Sequence, residues 1–366
     1  MQRVGAALKS VLPVVALVSL GLAIAFGPGA AVRKGENDFL AFYAGGRLLS
    51  TGQLYNVEAT WKLHQELVGT VFPALVFVRL PVFALPYAGL AKLPYLTAYW
   101  IFQSLSVLAL LASVALLARR SKDVPYLGAL SLPALCALGS GQEVTFLMLI
   151  LALALELFDR ERDFAAGLVL SLCAIKFHLF WLLPLGLVLA RRWKTLCGGA
   201  VGGALLAGAS FAVAGPGWPQ EFLALITSPR VHPNLGAMGS LSGMLYAFGA
   251  DRAWWTWLVY LVPVALFIVL AWRSRDERAV LAYALAAGLL CGGHAYIHDF
   301  TLLLVVYAIL AQGLSKAARI AFQLVLLPFV YAGLIAGAPY NVAVPLALTA
   351  LIVWWAAKSR AEKNLI

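Results

Sequence analysis

The sequence predicts an all-α polytopic membrane protein with about twelve transmembrane helices. Of its 366 residues, 63% are hydrophobic and only 12% charged. The mean hydropathy is +0.89, and the basic residues gather in short clusters between apolar runs. A soluble globular domain carries about 25% charged residues. A soluble fold of this length has no means of burying so much apolar surface, so lipid must be the solvent for most of it. The net charge of +11 would suit a nucleic-acid binder in a soluble chain. Here the cations sit between spans, so membrane lipid is the expected partner and nucleic acid is not. Eleven Trp and thirteen Tyr fit helices that end at lipid headgroups.

Taken in order, the expected spans are 7–27, 96–118, 124–138, 144–158, 164–175, 177–190, 196–214, 255–272, 279–292, 300–312, 317–336 and 342–357. Several are short for a bilayer crossing of about 20 residues, which suggests broken helices packed against protein. Arg3 and Lys9 precede the first run and small residues follow it near Gly29. That pattern resembles a signal peptide, but the length of the run favours a retained helix. Cys136, Cys173, Cys197 and Cys291 lie in or beside apolar segments without paired spacing, and read as small buried hydrophobes.

Charge orients the chain. With the N-terminus inside and strict alternation, 18 of the 27 basic residues and eight of the sixteen acidic ones fall on the cytoplasmic side, leaving nine basic and eight acidic on the other. This asymmetry puts both termini in the cytoplasm. The stretch 71–90 (VFPALVFVRLPVFALPYAGL) is nearly long enough to span, but a crossing there would invert every later cluster. Pro73, Pro81, Pro86 and Arg79 also argue against a clean helix, so it reads as a re-entrant or interfacial segment. The chain is then one integral membrane domain, 1–366, with outer loops at 28–95 and 215–253.

Function belongs where the long loops are. Asp38 follows the first span among Phe39, Phe42 and Tyr43. A carboxylate at a membrane boundary among aromatics has a raised pKa and suits a general base. Asn37 or Asp38 equally suits the cap of an interfacial helix running through Arg47. Lys176 falls between two apolar segments, either as a phosphate-side cation or as a lysine snorkelling to headgroups. His178 is beside it, as a ligand contact or a hydrogen-bonded helix-end histidine. Gln142 and Glu143 open a span, as sugar contacts or as a helix N-terminus favoured by an acid. His294 and His298 are four apart and would share a helix face. With Asp299 they suggest a weak metal pattern lacking a third ligand, or a histidine oriented by the carboxylate toward phosphate or sugar. His232, Asn234 and Ser240 offer polar groups in the second loop, for sugar recognition or as ordinary loop. Trp218, Trp254, Trp255 and Trp257 read as an interfacial belt.

The order of motifs carries a resemblance. Asp38-Phe39-x3-Tyr43-Ala44-Gly45-Gly46-Arg47, then Gly52-x2-Tyr55, resembles the opening of glycosyltransferase family 87. Gly141-Gln142, Asp159-Arg160-Glu161-Arg162, Ala166-Gly167, Lys176, Pro184 and Arg191-Arg192-Trp193 resemble its middle region. Met238 to Leu241 and Ala295 to Asp299 resemble its later motifs. The likeness covers about residues 36 to 312. Phe72-Pro73-Ala74 stands where the family often has Tyr-Pro-Pro, and His294-Ala295 where it often has Thr-Pro.

The resemblance implies a GT-C fold, with interfacial helices in the first outer loop. It implies a polyprenyl-phosphate-linked sugar as donor, mannose being the family's commonest sugar, and a glycan or glycolipid acceptor. Transfer would take place at the outer face of the inner (plasma) membrane, toward periplasm or exterior. Asp38 matches the catalytic acid of the first loop and would act as base in an inverting, metal-independent displacement that needs no cofactor. Tyr43, Arg47, Tyr55, Gln142, Lys176, His178, Ser240, His294, His298 and Asp299 are then the expected substrate contacts. A secondary transporter or lipid-linked sugar flippase is the competing class. It usually shows internal repeats and midplane charges, whereas the polar residues here gather at one face.

Overall fold

A computed structural model of the protein describes residues 28–231, 233–274 and 276–361, with side chains over 31–354. The expected span 7–27, with its signal-peptide alternative, and His232 lie outside the described residues. Those described are helical, with no strand among them. One isolated antiparallel bridge joins Met238 to Tyr296. Each of the other eleven expected spans contains helix.

Among the described residues, four helices are long and apolar enough to cross a membrane: Tyr95–Ala118, Asp163–Phe180, Trp193–Ala214 and Lys316–Ala336. Others are interrupted for local reasons. Segment 124–138 is two helices, Val124–Ala129 and Leu132–Gly139. Ser131 restarts the second by accepting from the Ala134 backbone N–H at 3.2 Å, ahead of Pro133 in its first turn. Pro328 starts a new helix in the same way.

Lys176 corrects the sequence reading. It does not separate two helices. It ends a 3-10 stretch, Ser171–Lys176, inside the longer helical run, and the break comes at Trp181 and Leu182. Segment 71–90 forms no spanning helix. It is irregular until Pro81–Ala84 and Leu85–Leu90.

The helix Phe39–Leu49 also departs from expectation. An interfacial helix rests one face on lipid headgroups, but here only Arg47 is exposed. The rest packs into an aromatic cluster with Phe77, Tyr87, Tyr95, Tyr99 and Phe102. Two glycines permit this. A Cβ on Gly45 would meet the Phe77 ring at 2.5 Å, and one on Gly46 would meet the Tyr87 backbone at 2.4 Å. Trp218, expected in a lipid belt, is likewise buried, with its ring 5.5 Å from Phe211. Trp254, Trp255 and Trp257 are exposed, as a belt requires. All four cysteines are free, and Cys197 is exposed on the long Trp193–Ala214 helix instead of buried.

The two ends of the bundle differ in character. One end is closed by ion pairs. Asp159 pairs with Arg120 and with Arg278, Arg192 with Glu277 at 2.8 Å, and Asp123 accepts from Tyr307 and Gln323. The other end holds the aromatic cluster and the loops, and there the cavity opens. The helices Asp163–Leu170 and Trp193–Ala214 approach closely, so that a Cβ on Gly198 would stand 2.0 Å from the Phe164 carbonyl oxygen. Gly203 on the same helix faces open space. Gly198→Leu should therefore lower stability by about 1–3 kcal/mol through overpacking, while Gly203→Leu should not. Thermal unfolding of the purified variants in detergent checks this, and equal melting temperatures would contradict it.

Candidate functional site

A cavity of about 590 Å3 lies at the loop end, within the usual range of about 300–1,000 Å3 for small-ligand sites. Polar side chains line it, Asp38, Arg79, Gln142, His178, His294 and His298, together with apolar ones from Val76 and Val78 in the first loop, Phe222 and Ile226 in the second, and Leu334 and Ile335 further on. Ile226, Ile335 and Phe177 among them are exposed. A ligand with a charged, hydroxylated head and a hydrocarbon tail fits such a mixed lining.

Asp38 precedes the buried helix Phe39–Leu49. Its backbone N–H donates to the Ser140 carbonyl at 2.8 Å, which fixes it against the turn that carries Gln142. That turn requires Gly141 at φ +66, a conformation costly for residues with a Cβ. The Asp38 side chain makes no capping bond. The carboxyl is hydrogen-bonded to Gln142 instead, and its remaining surface opens on the cavity. Burial raises its pKa above the ordinary carboxylate range, opposed by the Gln142 hydrogen bond and the positive charges of Lys176 and Arg79, and assisted by Asp299. Gln142 Oε1 is buried with no partner among the described residues, so it is free to accept from a ligand hydroxyl.

Lys176 and Asp299 form a buried pair at 2.6 Å, with side chains 2% and 0% exposed. Both lie behind the cavity wall. Asp299 Oδ2 also accepts the Tyr296 backbone N–H at 3.0 Å and lies 3.5 Å from His298 Nε2. This pair sets the loop that presents His294, Tyr296 and His298. His294 and His298 do not share a helix face as their spacing suggested, because helix resumes only at Ile297. Rings in sequence line the wall instead: His178 to His294 at 5.7 Å, His294 to Tyr296 at 4.8 Å, Tyr296 to His298 at 5.9 Å. Burial pushes the His294 pKa down to about 4, so it is neutral at pH 7. Among the described residues no group of three or more His, Cys, Asp or Glu side chains is placed to hold a metal ion.

Besides Lys176 and Asp299, four further expected contacts lie off the cavity. Tyr43 donates to the Leu93 carbonyl at 2.7 Å and Arg47 to the Ala91 carbonyl at 3.2 Å. Both tie the buried helix to the turn before Tyr95. Tyr55 donates to the Arg79 carbonyl at 2.6 Å. Ser240 is buried within the second loop, its hydroxyl without a hydrogen-bond partner among the described residues. The three hydrogen-bonded side chains brace the loops that form the site.

Sequence reasoning missed a group. Arg79 Nε pairs with Glu143 Oε2 at 2.9 Å, and Tyr87 donates to Glu143 Oε1 at 2.8 Å. The signal was present as an arginine inside an apolar stretch, a costly placement that implies a partner.

The family model described as Glycosyltransferase family 87 matches residues 77–295. That span is more than half of the chain and takes in Arg79, Gln142, Lys176, His178 and His294, while Asp38, His298 and Asp299 lie outside it. No curated protein and no solved structure matches the chain.

Breaking one partner of a buried ion pair leaves an uncompensated charge, at a cost of about 3–5 kcal/mol. Lys176→Met should therefore destabilise strongly, and Lys176→Met/Asp299→Asn should recover much of the loss. Unfolding free energies of the two variants test this. A single substitution as mild as a surface change, about 0.5 kcal/mol, would contradict the pairing.

Proposed function

The chain belongs to glycosyltransferase family 87, and from that premise we propose that it moves a sugar from a polyprenyl-phosphate donor to a glycan or glycolipid acceptor, with Asp38 as general base. One observation carries the mechanism. Asp38 is the single carboxylate lining the cavity among the described residues, while Glu143 and Asp299 are held in ion pairs. Retention by double displacement needs a second carboxylate as nucleophile. One base suffices for a direct displacement on a good leaving group.

The reaction balances as follows. An acceptor hydroxyl oxygen bonds to the anomeric carbon of the donor sugar. Its proton passes to the Asp38 carboxylate. The bond from the anomeric carbon to the phosphate oxygen breaks, and its electron pair leaves on the polyprenyl phosphate. Attack opposite the leaving group inverts the anomeric centre. The cavity's mixed lining supports this use: its polar groups take the sugar and phosphate, and its exposed apolar residues take the first isoprene units. Gln142 orients the base and offers Oε1 to a sugar hydroxyl. Neutral His294 on the wall adds a hydrogen-bonding group without a second positive centre near the anomeric carbon. No metal is required by this scheme, because the leaving group is already a phosphate.

We place the cavity on the outer face of the inner (plasma) membrane, both termini inside, on the strength of the basic clusters. The ion-paired end of the bundle contains Arg120, Arg192 and Arg278, which belong to those clusters. The sugar proposed for the first test is mannose, on the family resemblance alone.

Asp38→Asn should lose transfer by about 10²–10⁴-fold, the usual contribution of a general base, and keep donor binding. The base acts only when deprotonated, so wild-type transfer should fall as pH drops through the raised Asp38 pKa. The acid limb of kcat/KM should therefore lie above the ordinary aspartate value of about 4. Turnover assays with polyprenyl-phosphate mannose across pH measure both. Undiminished transfer by Asp38→Asn would sink the assignment.

A further inference from the structure

Two cations stand near the cavity, and they are not equivalent. Lys176 does not line it, and its ammonium is joined to Asp299 in a nearly inaccessible pair. Arg79 lines the cavity directly, although only 7% of it is exposed. Its guanidinium is held on several sides. Nε donates to Glu143 at 2.9 Å and Nη1 to the Val78 carbonyl at 3.0 Å. Cζ lies 5.7 Å from the centroid of the Phe42 ring, within cation–π range. The Tyr55 hydroxyl fixes the backbone of the same residue. Nη2 has no partner among the described residues. Glu143 is itself held, its other oxygen accepting from Tyr87 at 2.8 Å.

This arrangement has the features of a preformed anion contact. A guanidinium presents donors in a rigid fork that suits phosphate oxygens. Pairing with Glu143 keeps the empty site near neutrality, so the arginine can remain buried while it waits for a ligand. The held Nε and Nη1 set the direction of the free Nη2. We propose that Arg79 is the residue that receives the donor's lipid phosphate, with Glu143 and Tyr87 as positioning residues that aim it. The proposal rests on the glycosyltransferase reading above. When the anomeric carbon–oxygen bond breaks, the phosphodiester, with one negative charge, becomes a phosphomonoester that gains a second. Arg79 then hydrogen-bonds to the oxygen that takes the electron pair, while the acceptor's proton goes to Asp38.

The test compares binding of farnesyl phosphate and farnesol to the purified full-length protein in detergent. Their affinity ratio isolates the phosphate contact, and a merely structural role would not change it. Arg79→Met alone strands Glu143, so the measuring variant is Arg79→Met/Glu143→Gln, accompanied by Arg79→Lys. The wild type should prefer farnesyl phosphate. The double variant should lose about tenfold to a hundredfold of that preference, the worth of one charged hydrogen-bonding contact, and Arg79→Lys should lose part of it. A full preference retained by both variants would overturn the Arg79 assignment and leave the donor class standing. A wild type that does not distinguish phosphate from alcohol would overturn the donor class as well.

Discussion

A charge inside an apolar bundle must be paired, and the loop end of this molecule is organised by that requirement. Lys176 reaches Asp299 across 123 residues of sequence, and Arg79 reaches Glu143 across 64. Losing either partner would leave an uncompensated charge in a low-dielectric interior. Each pair therefore holds two distant parts of the chain in place. The first pair secures the 3-10 stretch Ser171–Lys176 to the Ile297–Leu302 turn. The second secures the first loop to the start of the Val144–Asp159 helix. The cavity is the space left between these two fixed points, with Asp38 at its side. Its shape thus follows from where charge has to be neutralised as much as from apolar packing.

Much of this was legible in the sequence, for identifiable reasons. Apolar run length located the helices, because satisfying backbone hydrogen bonds in lipid leaves few alternatives. The basic clusters grouped Asp38, Gln142, Lys176, His298 and Asp299 at one end, and the structure brings these residues together around one site. Prolines and Arg79 correctly denied 71–90 a spanning helix. What sequence did not reveal depended on tertiary partners. Arg79 in its apolar stretch implied a partner, but only the fold identifies that partner as Glu143. The Phe39–Leu49 helix looked interfacial because its glycines and aromatics also suit a membrane surface, whereas packing against Phe77 and Tyr87 buries it. Lys176 looked like a helix-end cation, and only its contact with Asp299 identifies it as an internal strut. The 294–298 histidines had helical spacing, but the backbone there is held by the Asp299 bond to Tyr296 and does not become helical until Ile297.

The proposed lipid-linked substrate makes two demands, and the lining of the cavity suits both. The head needs hydrogen-bonding and charged groups in a restricted volume, and the tail needs apolar wall continuous with the membrane. Asp38 meets the first demand as the one carboxylate facing the cavity among the described residues, poised by burial on one side and Gln142 on the other. The exposed apolar residues Ile226 and Ile335 meet the second. A soluble nucleotide sugar would have little use for them, and a transported solute would have little use for a base at one face.

The central claim is a single displacement at a cavity with one base. The most direct measurement is the anomeric configuration of the product formed by the purified protein from a polyprenyl-phosphate sugar of known anomer, read by nuclear magnetic resonance. The account predicts the configuration opposite to that of the donor. A product of the same configuration would require a second nucleophile that the cavity does not offer among the described residues, and would contradict it.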